Sequence, residues 1–135
     1  MINTSTSPHI QHDNSVKIVE VGPRDGLQNE KTPLTLNDRK NLILDLMKTG
    51  LKHIEVGSCV SAKWVPQMAE SDVLYSQLPQ DSDIQFSLLT PNMKGFESAL
   101  AVGCTEVAVF TAASESFTRK NINCSIDESF EKFSD

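Results

Sequence analysis

The stretch Val16–Lys31, VKIVEVGPRDGLQNEK, decides how the rest of the chain is read. Its first six residues are rich in β-branched side chains and stop at Gly22-Pro23, which predicts a short strand running into a polar loop. The same pattern returns at Leu51–Val56 (LKHIEV), Ile84–Leu89 (IQFSLL) and Thr105–Phe110 (TEVAVF). Helical stretches separate these runs. The first opens at Thr35, spaced from Asp38 as in a capping box, carries Leu42, Leu46 and Met47 on one face, and stops at Gly50. A second is expected from Gln67 to Leu78 and a third from Asn92 to Val102, between Pro91 and Gly103. A fourth opens at Ser125, with Glu128 at capping-box spacing.

Strands linked by crossover helices lie parallel, so the fold class is α/β. A closed barrel of eight strands takes about 250 residues, and a doubly wound sheet is built from about five or six strands. Four βα units in 135 residues fall short of the first and crowd the second. The expectation is the first four βα units of a TIM (β/α)8 barrel, truncated, over residues 16–135, with a disordered polar tail over residues 1–15. Within the strands, Glu20 shares a face with Ile18, and Glu55 with Leu51 and His53, opposite Val19, Val21, Ile54 and Val56. If helices cover the aliphatic side, both carboxylates point into a barrel. Two unpaired outer strands predict self-association or a homo-oligomer.

An apolar fraction of 39% and a charged fraction of 22% belong to a globular protein. The net charge of −6 comes without any block of Lys and Arg, so nucleic acid and anionic membranes are set aside as partners. No apolar run approaches the roughly 20 residues of a membrane span. Residues 1–15 lack the features of a secretory or mitochondrial leader. Cys59, Cys104 and Cys124 are odd in number and widely spaced, which argues against a disulfide framework or zinc site and fits a cytoplasmic location.

In parallel α/β folds the working residues gather on loops after the carboxyl ends of strands. The first such loop places Arg24 beside Asp25, with glycines on both sides. A carboxylate next to a guanidinium suits a hard-metal ligand beside an anion clamp. On spacing alone it reads equally as a structural ion pair in a turn. His9 and His12 have metal-like spacing but fall in the tail, and His53 sits mid-strand. Cys59 lies at a strand end with no base beside it, and Cys124 precedes a helix cap. Lys63, Lys94, Lys120 and Asn121 are loop polar groups that could meet phosphates.

Val16–Lys31 closely resembles the opening of the hydroxymethylglutaryl-CoA lyases, metal-dependent barrels that share an Arg-Asp-Gly element after strand one with related acyltransferases. The likeness continues through Lys63–Met68 (KWVPQM), Leu89–Asn92 (LTPN), Lys94–Glu97 (KGFE), Ala112–Glu115 (AASE) and Lys120–Ser125 (KNINCS). It implies a Mg2+- or Mn2+-dependent retro-Claisen cleavage of 3-hydroxy-3-methylglutaryl-CoA to acetyl-CoA and acetoacetate, in leucine degradation. Position by position, the resemblance makes Asp25 the metal ligand and a proton-transfer group, and Arg24 the catalytic and substrate-binding stabiliser of the developing enolate. Gln28 and Glu55 match positions near the metal, either as direct participants or as groups that orient the ligands. Glu20 is expected to pair with an arginine inside the barrel. The family also needs a His-x-His pair, an Asn and a reactive cysteine in a glycine-rich loop, and these have no counterpart here. The chain alone is therefore expected to be inactive. Two other readings stand beside this one: a noncatalytic half barrel, and an isopropylmalate-synthase-like acyltransferase.

Overall fold

A computed structural model describes residues 15–134, and the expected tail, with His9 and His12, lies outside the described residues except for Ser15. Three strands form one parallel sheet in the order β1 (His53–Ser58), β2 (Gln85–Leu89) and β3 (Val107–Ala108). Before them, Glu20 makes a parallel bridge to Ile54, donating to the carbonyl of His53 at 3.0 Å and accepting from the amide of Glu55 at 2.9 Å. The βα order and parallel sense match the expectation for the start of a barrel.

The outer strands are shorter than the sequence suggests. Val16–Val21 contributes only the Glu20 bridge, because Val21 (φ −112°, ψ 2°) has already left the extended region. Thr105–Phe110 reduces to Val107–Ala108. Among the described residues each of these segments has a neighbour on one side only.

Helices α1 (Leu36–Leu46), α2 (Ser71–Ser76) and α3 (Met93–Ala101) connect the strands. Thr35 caps α1 by accepting from the amide of Asp38 at 3.1 Å, and Gly50 ends the following short 3-10 turn at φ +91°, a conformation glycine adopts without cost. The deepest residue of α1 is Ile43, flanked by Leu36, Leu46 and Met47, while Leu42 is only half-buried. The helix expected over 67–78 is split. A 3-10 turn, Pro66–Met68, precedes a break at Glu70 (φ +56°), and only then does α2 begin. Asn92 caps α3 by accepting from the amide of Gly95.

Two further helices follow β3: α4 (Glu115–Ile122) and α5 (Ile126–Lys132). The capping box at Ser125 and Glu128 is present with both reciprocal bonds, at 3.1 and 2.6 Å. Helix α4 was not expected. Its signal is Ser114, which caps it by accepting from the amide of Phe117, and Asn123 ends it at φ +53°.

One side of the sheet carries Ile54, Val56, Phe86 and Leu88, packed on Ile43, Leu74, Tyr75, Leu78 and Ala99 from the helices. The other side is polar, with Glu55 opposite Ser87 and His53 opposite Gln85. By this register Glu20, opposite Ile54, lies on the other face from Glu55. The two carboxylates do not share the interior as the alternation suggested. Lys17 reaches Glu106 at 3.0 Å, so an ion pair links the segment before the Glu20 bridge to the residue that precedes β3.

Candidate active site

Five residues, Gly22–Gly26, form a wide helical turn directly after the Glu20 bridge, at the carboxyl side of the sheet. The carbonyl of Val21 accepts from the amides of Arg24 and Asp25 at 3.1 and 2.7 Å, and more weakly from Gly26 at 3.4 Å. Turns of this width recur at functional sites because they aim successive side chains out of line with a regular helix. The carboxylate of Glu20 accepts from the amide of Gly22 at 2.6 Å and closes the start of the turn. Glu20 is thus a backbone anchor and not the arginine partner expected, and Arg24 pairs with Glu55 instead.

The Nε of Arg24 donates to Glu55 Oε1, and Nη1 donates to Asp25 Oδ1 at 3.0 Å. Glu55 is 8% exposed, Arg24 19% and Asp25 58%. One guanidinium therefore joins a buried carboxylate below to an open one above. A pair largely removed from water fixes the orientation of its members, since breaking it leaves a buried charge without a partner. Glu55 holds Arg24 in place, and Asp25 keeps a carboxylate directed to solvent. Asn29 Nδ2 donates to the carbonyl of Asp25 at 2.7 Å, and Gln67 Nε2 to that of Glu30 at 2.7 Å. These two amides pin the loop, and nothing in the motif spacing marked them for that task. Gln28 sits half-buried on the same loop.

The other candidates stand apart. The Nδ1 of His53 is buried and unpartnered on the strand that carries Glu55. Burial first, and then Asp72 and Cys104, push the Cys59 thiol up to about 11, the opposite of an activated nucleophile. Cys124 is buried ahead of the Ser125 cap. Lys63 lies over the ring of Trp64 at 5.8 Å. Asn121 is on α4, not a loop, where its amide donates to the carbonyl of Phe117 at 2.8 Å, and Lys120 precedes it on the same helix. Lys94 borders a cavity of about 230 Å³ shared with Cys59, Glu70 and Asp72.

Among the described residues no three His, Cys, Asp or Glu side chains converge as a metal cage. On this loop Asp25 has the form of a ligand: an exposed, hard oxygen donor with one oxygen on Arg24.

A family model described as HMGL-like matches residues 15–135. The chain belongs to the HMGL-like family. The hydroxymethylglutaryl-CoA lyase of Pseudomonas mevalonii is 60% identical over 119 residues, which are 88% of this chain and 40% of that protein. The crystal structure of hydroxymethylglutaryl-CoA lyase from Pseudomonas aeruginosa superposes with a TM-score of 0.82 at 56% identity, covering 87% of this chain and 39% of that one. An HMG-CoA lyase from A. baumannii, solved with coenzyme A and 3-methylmalate, superposes at 0.80 with 32% identity over 85% and 38%. This HMGL-like chain thus has the fold of the opening units of the lyase barrels, and it spans about 40% of the length of the curated relatives it matches.

Proposed function

We propose that this chain supplies the arginine–aspartate part of a hydroxymethylglutaryl-CoA lyase site, cleaving 3-hydroxy-3-methylglutaryl-CoA to acetyl-CoA and acetoacetate in leucine degradation. The observation that carries the reading is Arg24, held from below by Glu55 and set against the exposed Asp25 at the carboxyl side of a parallel sheet. The relatives named for this activity are 60% and 56% identical over the same residues, and a CoA complex is among the superposed lyases.

The reaction removes the proton of the tertiary hydroxyl, breaks the adjacent carbon–carbon bond as the ketone of acetoacetate forms, and leaves an enolate that is then protonated to acetyl-CoA. Arg24 presents guanidinium N–H groups that stabilise negative charge growing on the thioester oxygen, and Glu55 spares it reorganisation as that charge appears. In this reading Asp25 is the carboxylate that moves the hydroxyl proton, a role supported by its exposure beside Arg24. The family is metal-dependent, and Asp25 is the residue here that would hold Mg2+ or Mn2+. When bound, such an ion lowers the pKa of the hydroxyl and polarises the substrate oxygens. A cytoplasmic setting belongs to the same proposal and is supported by three free cysteines.

The test is acetoacetate release from 3-hydroxy-3-methylglutaryl-CoA by this sequence joined to the remaining segment of the P. mevalonii lyase. Turnover should require divalent metal, and Arg24→Met should lower kcat by about 10²–10³. The 135-residue chain alone should show none. Condensation of acetyl-CoA with a 2-oxo acid by the joined protein, without cleavage, would replace the lyase reading by the acyltransferase one.

A further inference from the structure

Arg39 of α1 is the most buried charged side chain among the described residues, 2% exposed. Both of its hydrogen-bond acceptors are neutral. Nη1 donates to the carbonyl of Ala69 at 2.5 Å and Nη2 to the hydroxyl of Ser71 at 2.9 Å, while Nε is buried without a partner. Burial draws the guanidinium below its ordinary value, an effect that the charge of the exposed Glu70 opposes. A charge taken out of water in this way costs stability that an apolar side chain of similar size would not. What the planar fork supplies instead is a fixed spacing between two bonds.

Those two acceptors flank Glu70, which sits at φ +56° in the left-handed region, where a side chain strains the backbone. One guanidinium thus holds both sides of a turn that the local sequence does not favour. Ser71 extends the hold, since its hydroxyl donates to the carbonyl of Met68 at 2.7 Å and accepts from the amide of Ser58 at 3.1 Å, at the carboxyl end of the strand that carries Glu55. The fit against that strand is close: a Cβ on Gly57 would lie 2.7 Å from Ser71 Cβ and 3.1 Å from Arg39 Nη2. Next to Met68 stands Gln67, whose amide bonds the carbonyl of Glu30 at 2.7 Å and so reaches the loop of Arg24 and Asp25.

We propose that Arg39 is a positioning residue for the site: it clamps the turn at Glu70 and, through Ser71, Met68 and Gln67, sets where the loop carrying Arg24 and Asp25 stands over the sheet. Its own bonds go to neither Arg24 nor Asp25, so it acts only along this path. The effect on turnover rests on the lyase reading, whereas the effect on the loop belongs to the chain alone.

The experiment compares Arg39→Met with the unaltered chain by residue-resolved amide exchange and by the fluorescence anisotropy of Trp64, the single tryptophan, which lies on the clamped segment. Exchange at the Ser58 and Asp25 amides should speed up about tenfold beyond any change in the global melt, with a lower Trp64 anisotropy. Arg39→Lys, a compact donor in place of the fork, should fall between the two. In a Gln67→Ala background the Arg39→Met change should still loosen Ser58 and add nothing at Asp25, which separates a path through Gln67 from a general loss of packing. Should Arg39→Met not fold, Ser71→Ala breaks the same path with a smaller change and is held to the same outcome. In the protein joined to the remaining segment of the P. mevalonii lyase, Arg39→Met should lower kcat about tenfold and leave KM within about twofold. Exchange at Ser58 and Asp25 that only follows the melt, or an unchanged kcat, overturns the proposal. A joined protein that releases no acetoacetate even with Arg39 in place overturns the proposed function and leaves the clamp standing or falling on the exchange result.

Discussion

The centre of the sheet and its flanks are written in the same kind of sequence and reach different ends. Ile54, Val56, Phe86 and Leu88 are all but removed from water, whereas Val16, Ile18, Val109 and Phe130 are exposed. Composition does not separate the two groups. The central strands lie between neighbours on both sides and beneath α1, α2 and α3, while each flanking strand has one neighbour among the described residues. Strand propensity is realised where partners exist on both edges and a face is covered.

The sharpest way to break this contrast is to truncate one apolar residue from each region. Leu74→Ala should cost about 2–5 kcal/mol in denaturant unfolding, since its neighbours cannot fill the space. Phe130→Ala, on the exposed side of α5, should stay within about 0.5 kcal/mol. Equal losses would mean that the flank is as packed as the centre.

The helix caps repeat the contrast at smaller scale. Thr35→Ala and Ser125→Ala each remove an N-cap, a change of about 1 kcal/mol. Because α1 packs through Ile43 and α5 carries an exposed face, the first should lower the global melt and the second should fray α5 alone. Amide exchange resolved by residue distinguishes them. The smallest effect is a matter of pH. The Ser125 backbone amide, then its side chain, hold the Glu128 carboxyl below its ordinary value. Its folded pKa is depressed, so its contribution is present above the usual carboxylate range and is lost as pH falls through the depressed value. The protection factor of the Ser125 amide, taken against the intrinsic exchange rate at each pH, should fall on acidification, and this pH dependence should be absent in Glu128→Gln.

The order of elements was legible because glycine, proline and cap residues punctuate this chain clearly. Gly50, Asn92 and the Ser125–Glu128 pair stand where local rules put them. Strand length was not legible, since it depends on partners distant in sequence. The break at Glu70 was hidden because a non-glycine residue takes positive φ there, and α4 was hidden in a stretch read as loop. In the site, the Arg24–Asp25 contact could be read from adjacency. The Glu55 contact spans 31 residues and needed the sheet to bring it about. Glu20, which alternation paired with Glu55, lies on the other face because the bridge sets it opposite Ile54. The supports from Asn29 and Gln67 depend on loop paths that no periodicity encodes.

The pair that ties the unfinished first flank to the finished centre is Arg24 with Glu55, and the whole reading of the site turns on it. A double-mutant cycle of Arg24→Met and Glu55→Gln, followed by denaturant unfolding of the chain, measures that tie directly. The expected coupling is about 1–3 kcal/mol, with each single change costing more than its share of the double. Additivity within about 0.5 kcal/mol would mean that Glu55 does not hold the arginine, and the site would then have no buried anchor.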